Sequence, residues 1–430
     1  MPRPGELTPL PRHLLPATAR VGADGRLSVG GCDVLDLAAE YGTPLFVYDE
    51  EHVRARCREA VGVFGDGVAY AAKAFLCRAM AQLVHDEGMC IDVATGGELH
   101  VVLAAGVPAS ACVLHGNNKS VAELRMAITA GVRHIVVDSF DELDRLDALH
   151  GEGAGPVPQV LLRITPGVHA HTHEFIATGQ DDSKFGFNLG NGDAERAVRR
   201  ALDSPSVELV GLHCHIRSNV FAASSFAKAA EVMAAFAIPF DLPHLVLGGG
   251  LGVAYVAGET APTITEWADS VLDGCRAAGI EARVLAEPGR AIAAQAGVTL
   301  YRVGTIKDVP GVRTYLSVDG GMSDNPRPVL YGSGYEALLP RAAGAERPRR
   351  VTIVGKHCES GDVLVREADV PEDTAVGDVL ATPVTGAYGH SMGSNYNKVL
   401  RPPVVFVAGG EARVVVRRET VSDLLATDLG

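Results

Sequence analysis

The stretch from Val68 to Ser139 contains four short apolar runs at an even spacing: VAYAAK (68–73), CIDVAT (90–95), VLHGN (113–117) and HIVVDS (134–139). The runs end at residues 73, 95, 117 and 139, so that 22 residues separate each end from the next. A strand, a loop and a helix of about three turns fit that length. Several segments between the runs end in glycine, a common helix terminator. The stretch therefore predicts repeated strand–helix units.

Four more apolar runs continue this rhythm: VLLRIT (160–165), LVGLHCHI (209–216), HLVLGGG (244–250) and RVLAEPG (283–289). Eight strand–helix units favour a (β/α)8 barrel of the TIM type. A doubly wound open sheet is the alternative, because a count of units does not show that a sheet closes. The sixth unit is longer and holds the polar segment 169–186, which we expect to form a loop over a site.

The pattern changes after about residue 300, where apolar and polar residues alternate as in antiparallel strands. The clearest alternating segments are TYLSVDGG (314–321), RVTIVGKHC (350–358) and ARVVVRRETV (412–421). Residues 26–42, near the N-terminus, read as a strand and a short helix. We therefore predict an N-terminal arm (1–45) that packs with the β domain, a barrel (46–305) and a C-terminal antiparallel β domain (306–430).

Composition narrows the choice of partners and compartment. The chain has 38 basic and 52 acidic residues, a net charge of −14, which disfavours a nucleic-acid partner because such a surface repels phosphates. The most apolar stretch, 232–258, is interrupted by prolines and polar residues, so we predict no membrane span. The N-terminus does not read as a secretory signal, and the eight cysteines form no CxxC pair. These features predict a cytoplasmic protein with reduced thiols.

Residues able to do chemistry follow the predicted strands, where barrels place their active sites. They are Lys73, Asp92, His115, Arg163, His213, His215, Gly248 to Gly250, Glu287 and Arg290. Lys73 ends the first apolar strand, where a charged amine is costly unless it is paired or covalently bound. It is therefore either a lysine that reaches the rim of the barrel or a Schiff-base lysine.

Three motifs suggest a phosphorylated planar ligand. GGGLG (248–252) follows the seventh run, where barrels often hold phosphate, although a glycine-rich turn alone is a weak signal. HCHIRS (213–218) contains an HxH pair that suits a metal, a ring stacked on a planar ligand, or simply a buried histidine. AEPGR (286–290) contains either a structural Glu–Arg pair or a carboxylate that keeps a pyridine nitrogen protonated.

These motifs together resemble the fold type III, alanine-racemase-type family of pyridoxal-phosphate decarboxylases, and within it the branch acting on meso-diaminopimelate. The resemblance covers almost the whole chain. The remaining motifs that match are DVATGGEL (92–99), HGNNKS (115–120), HTHEFIATG (171–179), VDGGMSDNPRPVLYG (318–332), GKHCESGD (355–362) and GAYGHSMGSNYN (386–397).

The resemblance implies the following cofactor-binding residues. Lys73 corresponds to the lysine that carries pyridoxal 5'-phosphate, His215 to the histidine stacked on its ring, and Ser218 to a serine near its phosphate. The phosphate loop corresponds to Gly248, Gly249 and Gly250. Glu287 corresponds to the partner of the pyridine nitrogen, and the cofactor-binding stretch continues through Pro288, Gly289 and Arg290.

The resemblance also implies substrate contacts and a homodimer. Arg290, Arg327 and Tyr331 correspond to residues that contact substrate carboxylates, and Tyr388 to a residue that touches both cofactor and substrate. Cys358, the proton donor, and Glu359, the partner of the distal ammonium group, would come from the neighbouring subunit.

The chain departs from the family pattern at two places. Arg217, Ser218 and Asn219 stand where glycine, serine and glutamine are usual, and Arg217 would lie beside the expected phosphate site. His390 stands where an aromatic residue is usual. These departures bear more on the predicted identity of the substrate than on the prediction of the cofactor.

We therefore expect a homodimeric decarboxylase that uses pyridoxal 5'-phosphate, converts meso-diaminopimelate to L-lysine, and needs no metal, membrane or nucleic acid. Three alternatives stay open. A sister decarboxylase for another amino acid is favoured by Arg217. A metal-dependent barrel hydrolase using His213 and His215 would normally have its HxH pair on the first strand and an aspartate at the eighth, where this chain has Lys73 and Glu287. A non-catalytic binding protein has no need of Lys73 and Cys358.

Overall fold

A computed structural model describes residues 11–167, 183–215, 219–221 and 223–430. The strands are β1 (Arg20–Val21), β2 (Leu27–Val29), β3 (Cys32–Asp33), β4 (Leu45–Asp49), β5 (Ala69–Ala71), β6 (Cys90–Val93), β7 (Cys112–Leu114), β8 (His134–Val137), β9 (Gln159–Thr165), β10 (Phe187–Asn188), β11 (Glu208–His213), β12 (His244–Val246), β13 (Arg283–Leu285), β14 (Gly297–Val309), β15 (Arg313–Val318), β16 (Arg349–Val354), β17 (Val363–Val370), β18 (Val379–Pro383), β19 (Val404–Ala408) and β20 (Glu411–Val416). The helices are α1 (Val34–Tyr41), α2 (Glu50–Phe64), α3 (Arg78–Asp86), α4 (Gly96–Ala104), α5 (Val121–Ala130), α6 (Phe140–Gly151), α7 (Asp193–Asp203), α8 (Ala223–Ala237), α9 (Ile264–Ala277), α10 (Arg290–Ala293) and α11 (Arg327–Tyr331).

The chain forms two compact units, and the first, of residues 56–253 and 261–292, contains the parallel sheet. Its strand order is β13-β12-β11-β9-β8-β7-β6-β5, and β10 pairs with β9. Each of the eight predicted apolar runs coincides with one strand of this order, although three of the strands begin one residue before the run. The first and last strands are joined as well: Ala69 N donates to Ala286 O (3.0 Å) and Ala71 N to Pro288 O (3.3 Å). The barrel prediction is therefore confirmed, and the open-sheet alternative is wrong.

Local sequence signals explain the helices and the interior of the barrel. Capping boxes begin α5 (Ser120 with Glu123) and α9 (Thr263 with Glu266). The helical repeat Leu143, Leu146 and Leu149 lies on the buried side of α6. Inside the barrel, one buried cluster draws a residue from each of several strands: Val113, Val136, Leu161, Val210, Val246 and Leu285. Burying such side chains contributes roughly 1.5–3 kcal/mol each.

The second unit combines the N-terminal residues up to Ala55, a short segment (254–260) and the C-terminal residues from Ala293. Its main sheet has the order β17-β16-β15-β14-β4-β19-β20, and β18 also pairs with β14. The pairs are antiparallel as predicted, except that β15–β16 and β4–β19 are parallel. Long connections, rather than tight hairpins, join both exceptional pairs, which permits parallel pairing. The N-terminal segment adds the small β1-β2-β3 sheet and α1.

Two further sequence expectations concern membranes and the long sixth unit. None of the helices in the described part of the chain combines the length and apolar character needed to cross a bilayer. The predicted loop at 169–186 falls largely outside the described residues.

Candidate active site

Lys73 lies in a single helical turn, Ala72–Ala74, directly after β5. The Tyr70 hydroxyl holds the end of this turn with two hydrogen bonds: it donates to Phe75 O (2.8 Å) and accepts from Phe75 N (3.1 Å). The apolar neighbours Ala72 and Ala74 are fully buried, whereas the Lys73 side chain is exposed. The turn therefore leaves the Lys73 side chain accessible at the carboxyl end of the first barrel strand.

The glycine loop after β12 packs tightly against two of the predicted site residues. A Cβ atom on Gly248, whose φ is +63°, would stand 2.7 Å from His215 Nδ1, and one on Gly249 would stand 2.2 Å from Glu287 O. Gly249 N donates to His215 Nδ1 (3.3 Å), and Glu287 N donates to Gly248 O (2.6 Å). No side chain fits at either position, which explains why both residues are glycine.

His215 is a neutral imidazole in this arrangement. Its Nδ1 accepts a hydrogen bond from Gly249 N and is therefore unprotonated. Burial, together with the positive charges of Lys73 and Arg163, lowers the pKa of His215 well below its usual value. An uncharged ring of this kind is suited to stacking on a planar ligand.

Glu287 follows β13, and each of its two carboxylate oxygens contacts one imidazole. His115 Nε2 lies 3.0 Å from Oε1, and His213 Nε2 lies 2.9 Å from Oε2. The two rings stand edge to face, with centroids 5.0 Å apart. All three side chains are buried, and β7, β11 and the end of β13 supply them.

Burial alone would raise the pKa of Glu287, but His115 and His213 outweigh it and hold the pKa well below its usual value. Burial lowers the pKa of His213 to about 4, so this ring is neutral at pH 7. Burial also disfavours the charged form of His115, yet the carboxylates of Asp92 and Glu287 outweigh it and raise the pKa of His115. The Glu287 carboxylate is thus favoured in its ionised form within a cluster of buried polar side chains.

Asp92 completes this cluster from the end of β6. Its Oδ1 lies 3.6 Å from His115 Nε2, so His115 faces two carboxylates. Burial raises the pKa of Asp92 to about 6, and the positive charges of His115 and Lys73 act in the opposite direction. His115 therefore lies between two carboxylates, and Glu287 is the one whose surroundings favour the ionised form.

The structure does not bring the predicted HxH pair together as metal ligands. His213 contacts Glu287, whereas His215 contacts the glycine loop. A different set, His115, His213 and Glu287, offers ligand atoms within 4.8 Å of one another. A metal ion there would have to replace the contacts that both histidines already make with the carboxylate.

Arg327, in the second unit, begins α11 and is 4% exposed. Its guanidinium donates to Ser333 Oγ (3.0 Å) and to the Tyr335 hydroxyl (3.3 Å). It lies 4.5 Å above the Tyr255 ring and 6.0 Å from the Tyr388 ring. Within the described residues no carboxylate forms an ion pair with Arg327, so a buried cation is held by neutral groups alone. Such a cation suits an incoming carboxylate.

Cys358 and Glu359 lie on an exposed loop that is nevertheless tightly held. The buried Asp362 carboxylate accepts hydrogen bonds from Met322 N (2.7 Å), His357 N (2.9 Å) and His357 Nδ1 (2.8 Å). Cys358 N donates to Asn397 Oδ1 (3.0 Å). The loop therefore presents a thiol and a carboxylate to solvent from a fixed backbone.

The remaining sequence-predicted positions can be placed as follows. Pro288 and Gly289 pass against β5, where Pro288 O accepts from Ala71 N. Arg290 begins α10. Tyr331 ends α11 with 49% of its surface exposed. Ser218 and Arg217 lie outside the described residues, so the departure in HCHIRS has no structural account.

Sequence reasoning missed four side chains that shape these groups: Tyr255, Tyr335, His357 and Asp362. The motif GKHCESGD contains the last two, and a histidine and an aspartate close to a predicted site cysteine were a usable signal. Tyr255 and Tyr335 carry no such signal, because only the tertiary fold brings them to Arg327.

Comparison with known proteins matches these features to one family. Residues 50–294 match the family model described as "Pyridoxal-dependent decarboxylase, pyridoxal binding domain". Diaminopimelate decarboxylase of Mycobacterium tuberculosis (H37Rv) is 47% identical, and the alignment covers 99% of both chains. The Bacillus subtilis enzyme of the same name is 46% identical over 96% of this chain and 98% of the relative. The crystal structure of diaminopimelate decarboxylase from M. jannaschii with L-lysine superposes with a TM-score of 0.89, at 33% identity, over 96% of this chain and 98% of the other.

The closed barrel, the lysine after its first strand and the family match together define a fold type III pyridoxal-dependent decarboxylase. Within that class, near-full-length identity above 40% is decisive. The chain belongs to the diaminopimelate decarboxylase family.

Proposed function

We propose that the protein decarboxylates meso-2,6-diaminopimelate to L-lysine and carbon dioxide with pyridoxal 5'-phosphate as cofactor. The observation that carries the proposal is the buried Glu287 carboxylate held ionised by His115 and His213, in a chain whose near-full-length relatives bear this name. A carboxylate in that state suits the ring nitrogen of a pyridine, which an electron-sink cofactor needs in its protonated form.

The residues at the strand ends fit this cofactor. Gly248 and Gly249 form a tight turn without side chains where the phosphate would bind, and Ser218 would add a hydroxyl. His215 supplies a neutral ring to stack on the pyridine, Glu287 binds its nitrogen, and Lys73 supplies the amine that holds it. When bound, the cofactor withdraws the electron pair left by the departing carbon dioxide.

The substrate has an amino-acid group at each end, and the distal end must be bound as an intact zwitterion. Arg327, which has no carboxylate partner among the described residues, binds the distal carboxylate together with Arg290, and Tyr331 adds a hydroxyl. Glu359 binds the distal ammonium group. Tyr388, beside Arg327, contacts both cofactor and substrate. Charge-assisted hydrogen bonds of this kind orient a substrate strongly.

The active form in this proposal is a cytoplasmic homodimer in which Cys358 and Glu359 serve the partner's site. Two observations support it: both residues are exposed, and their loop is held by buried hydrogen bonds to Asp362. An exposed loop that needed no fixed shape would not require these bonds. Cys358 Sγ delivers the proton that replaces the lost carboxyl group.

Substrate profiling tests the proposal. Purified enzyme loaded with pyridoxal 5'-phosphate is incubated with meso-diaminopimelate, lysine, ornithine and arginine, and released carbon dioxide is measured. We expect release from diaminopimelate with lysine as the other product. Preference for lysine or ornithine would replace the proposal with a sister decarboxylase, and activity that survives removal of the cofactor but not of metal would overturn the class.

A further inference from the structure

Asp92 lies in β6 and His115 follows β7. The function proposed above gives Asp92 no role and does not say which of the two imidazoles on Glu287 is charged. The exposed fractions of Asp92 and His115 are only 9% and 8%, so both are titratable groups withdrawn from water. Burying two ionisable side chains costs free energy unless they compensate one another. Their position beside Glu287 indicates what that arrangement achieves.

The contacts distinguish the two imidazoles on Glu287. His115 Nε2 lies 3.0 Å from Glu287 Oε1 and 3.6 Å from Asp92 Oδ1, so it faces two carboxylates. His213 Nε2 contacts a single carboxylate oxygen at 2.9 Å. The rings are only 5.0 Å apart, so two imidazolium ions side by side would repel each other. At most one of the two rings can carry a charge without this repulsion. His213 Nε2 makes the hydrogen bond to Glu287, whereas His115 Nε2 makes none within the described residues and lies in the charge field of two carboxylates.

We propose that His115 is held as an imidazolium between Asp92 and Glu287, and that it is the positioning residue that keeps Glu287 ionised and oriented for the cofactor ring. This inference rests on the proposed function, which assigns Glu287 to the pyridine nitrogen. His213 is the neutral partner: it donates Nε2–H to Glu287, and its Nδ1 is buried and accepts no hydrogen bond from the described residues.

The wider electrostatics agree with this assignment. Although burial disfavours its charged form, the carboxylates raise the pKa of His115, whereas burial lowers the pKa of His213 to about 4. Other charged groups also act on His115 or feel its charge: Arg163, Asp138 and Glu98. Arg163 is the one cation among these, and it lies 3.9 Å from Asp138, which offsets its charge.

The positive charges of His115 and Lys73 both lower the pKa of Asp92, against the effect of burial, which raises it. Asp92 therefore responds to charge at His115 and at Lys73.

Nitrogen-15 NMR of the holoenzyme labelled at histidine tests the charge assignment directly. At pH 7.5 we expect both ring nitrogens of His115 to be protonated and His213 to be the neutral Nε2–H form, with assignments made from His115→Asn and His213→Asn. In Asp92→Asn, His115 should lose its proton about one pH unit lower, because one of its two carboxylates is gone. A neutral His115 throughout pH 6–8 in the wild type would overturn the inference.

Kinetics and cofactor binding test the positioning role. We expect His115→Asn to lower kcat and cofactor affinity on the order of 10- to 100-fold, with the visible absorbance of the bound cofactor shifting at a different pH. His100→Asn, on the exposed side of α4, is the matched control and should match the wild type. Thermal unfolding shows whether His115→Asn is folded. If it is not, the kinetics of His115→Gln and the NMR of the wild type test the role of His115 instead.

Glu287→Gln separates this inference from the proposed function. If Glu287→Gln is impaired and a folded His115→Asn keeps wild-type kinetics, cofactor affinity and pH profile, the role of His115 is wrong while that of Glu287 stands. If Glu287→Gln behaves as wild type, the proposed role of Glu287 itself fails. A stoichiometric metal that is lost in both His115→Asn and His213→Asn would overturn the inference in favour of a metal site.

Discussion

Asp362 binds His357 twice: its Oδ2 lies 2.8 Å from Nδ1 of the imidazole and 2.9 Å from the backbone nitrogen of the same residue. The carboxylate occupies space left by Gly355 and Gly321, where added Cβ atoms would stand 2.1 Å and 2.6 Å from its oxygens. The residue next to His357 is Cys358. The shape of the loop that presents the thiol is therefore decided by a buried carboxylate.

Asp362→Asn should impair catalysis without impairing cofactor binding. The amide group can place a donor against Met322 N or His357 N, so the loop shifts, and a displacement of about 1 Å can cost on the order of 100-fold in rate. We expect kcat to fall about 10- to 100-fold while the visible cofactor spectrum is retained. Asp369→Asn, at a partly exposed ion pair with Arg350, is the control. Equal loss in both variants would contradict a specific effect on the loop.

Borohydride should fix the cofactor to Lys73 alone. The chain offers an internal comparison in Lys119, whose Nζ is buried and donates to Gly116 O, Val136 O and Glu142 Oε1 at 2.6–2.7 Å. An amine bound in this way is not available for covalent chemistry, whereas the Lys73 side chain is exposed. Peptide mapping after reduction should find one labelled peptide, and Lys73→Ala should have none. A label on any other lysine would disprove the assignment.

Two inactive variants should restore activity when mixed, if Cys358 acts in the partner's site. In the proposed function, Lys73→Ala removes the lysine that holds the cofactor and Cys358→Ala removes the proton donor, so a hybrid dimer would have one site with both residues intact. Under full random exchange, half of the dimers are hybrids, and we expect roughly a quarter of wild-type activity, because one site in two is intact in those dimers. Native mass spectrometry verifies the exchange. Exchange without recovery would indicate that each chain completes its own site.

Diaminopimelate should be strongly preferred over lysine, which lacks the distal carboxylate. Losing a buried, charge-assisted contact costs on the order of 2–5 kcal/mol, or roughly thirty- to several-thousand-fold in kcat/KM. Arg327→Met should reduce this preference most, because it removes the buried guanidinium, and Glu359→Gln should weaken it as well. Arg217→Gly tests whether the departure from the family pattern at this position affects substrate choice. An unchanged preference in that variant would exclude Arg217 from substrate selection.

His390→Phe should make the protein less sensitive to acid. Burial, together with nearby Arg401, lowers the pKa of His390 to about 4, below the value of about 6.5 in an unfolded chain. As pH falls from 6.5 towards 4, the unfolded chain takes up this proton first, so the folded state loses stability. We expect the free energy of unfolding of the variant, relative to that of the wild type, to be about 1–2 kcal/mol higher at pH 5 than at pH 8. Urea unfolding at the two pH values measures this difference. An equal difference at both pH values would contradict the expectation.

The strands of the barrel were readable from the sequence because each is a local apolar run that ends in a glycine or a polar residue. Closure was not readable, since it depends on Ala69 and Ala71 bonding to Ala286 and Pro288, which are far apart in the chain. The same limit explains the parallel β4–β19 pair in the second unit, because strand direction there follows from long connections rather than from any local pattern.

The candidate site divides in the same way. The strand pattern alone was enough to place three residues at strand ends: His115, His213 and Glu287. In the structure both imidazoles contact the carboxylate. No pattern indicated that both imidazoles would contact one carboxylate while His215 turned to Gly249 instead. The motif GKHCESGD contains both His357 and Asp362, but it gives no sign of the third bond to the Asp362 carboxylate, from Met322 N.

The pairing of β4 has a consequence for the order in which the chain can fold during synthesis. This strand, complete at Asp49, pairs on one side with β14 and on the other with β19, which begins only at Val404. The whole sequence of the barrel leaves the ribosome before β4 gains either neighbour. Until then its two edges of unpaired backbone groups are open to other chains, the situation in which strands aggregate. A nascent or truncated chain that stops before β19 keeps one of those edges exposed.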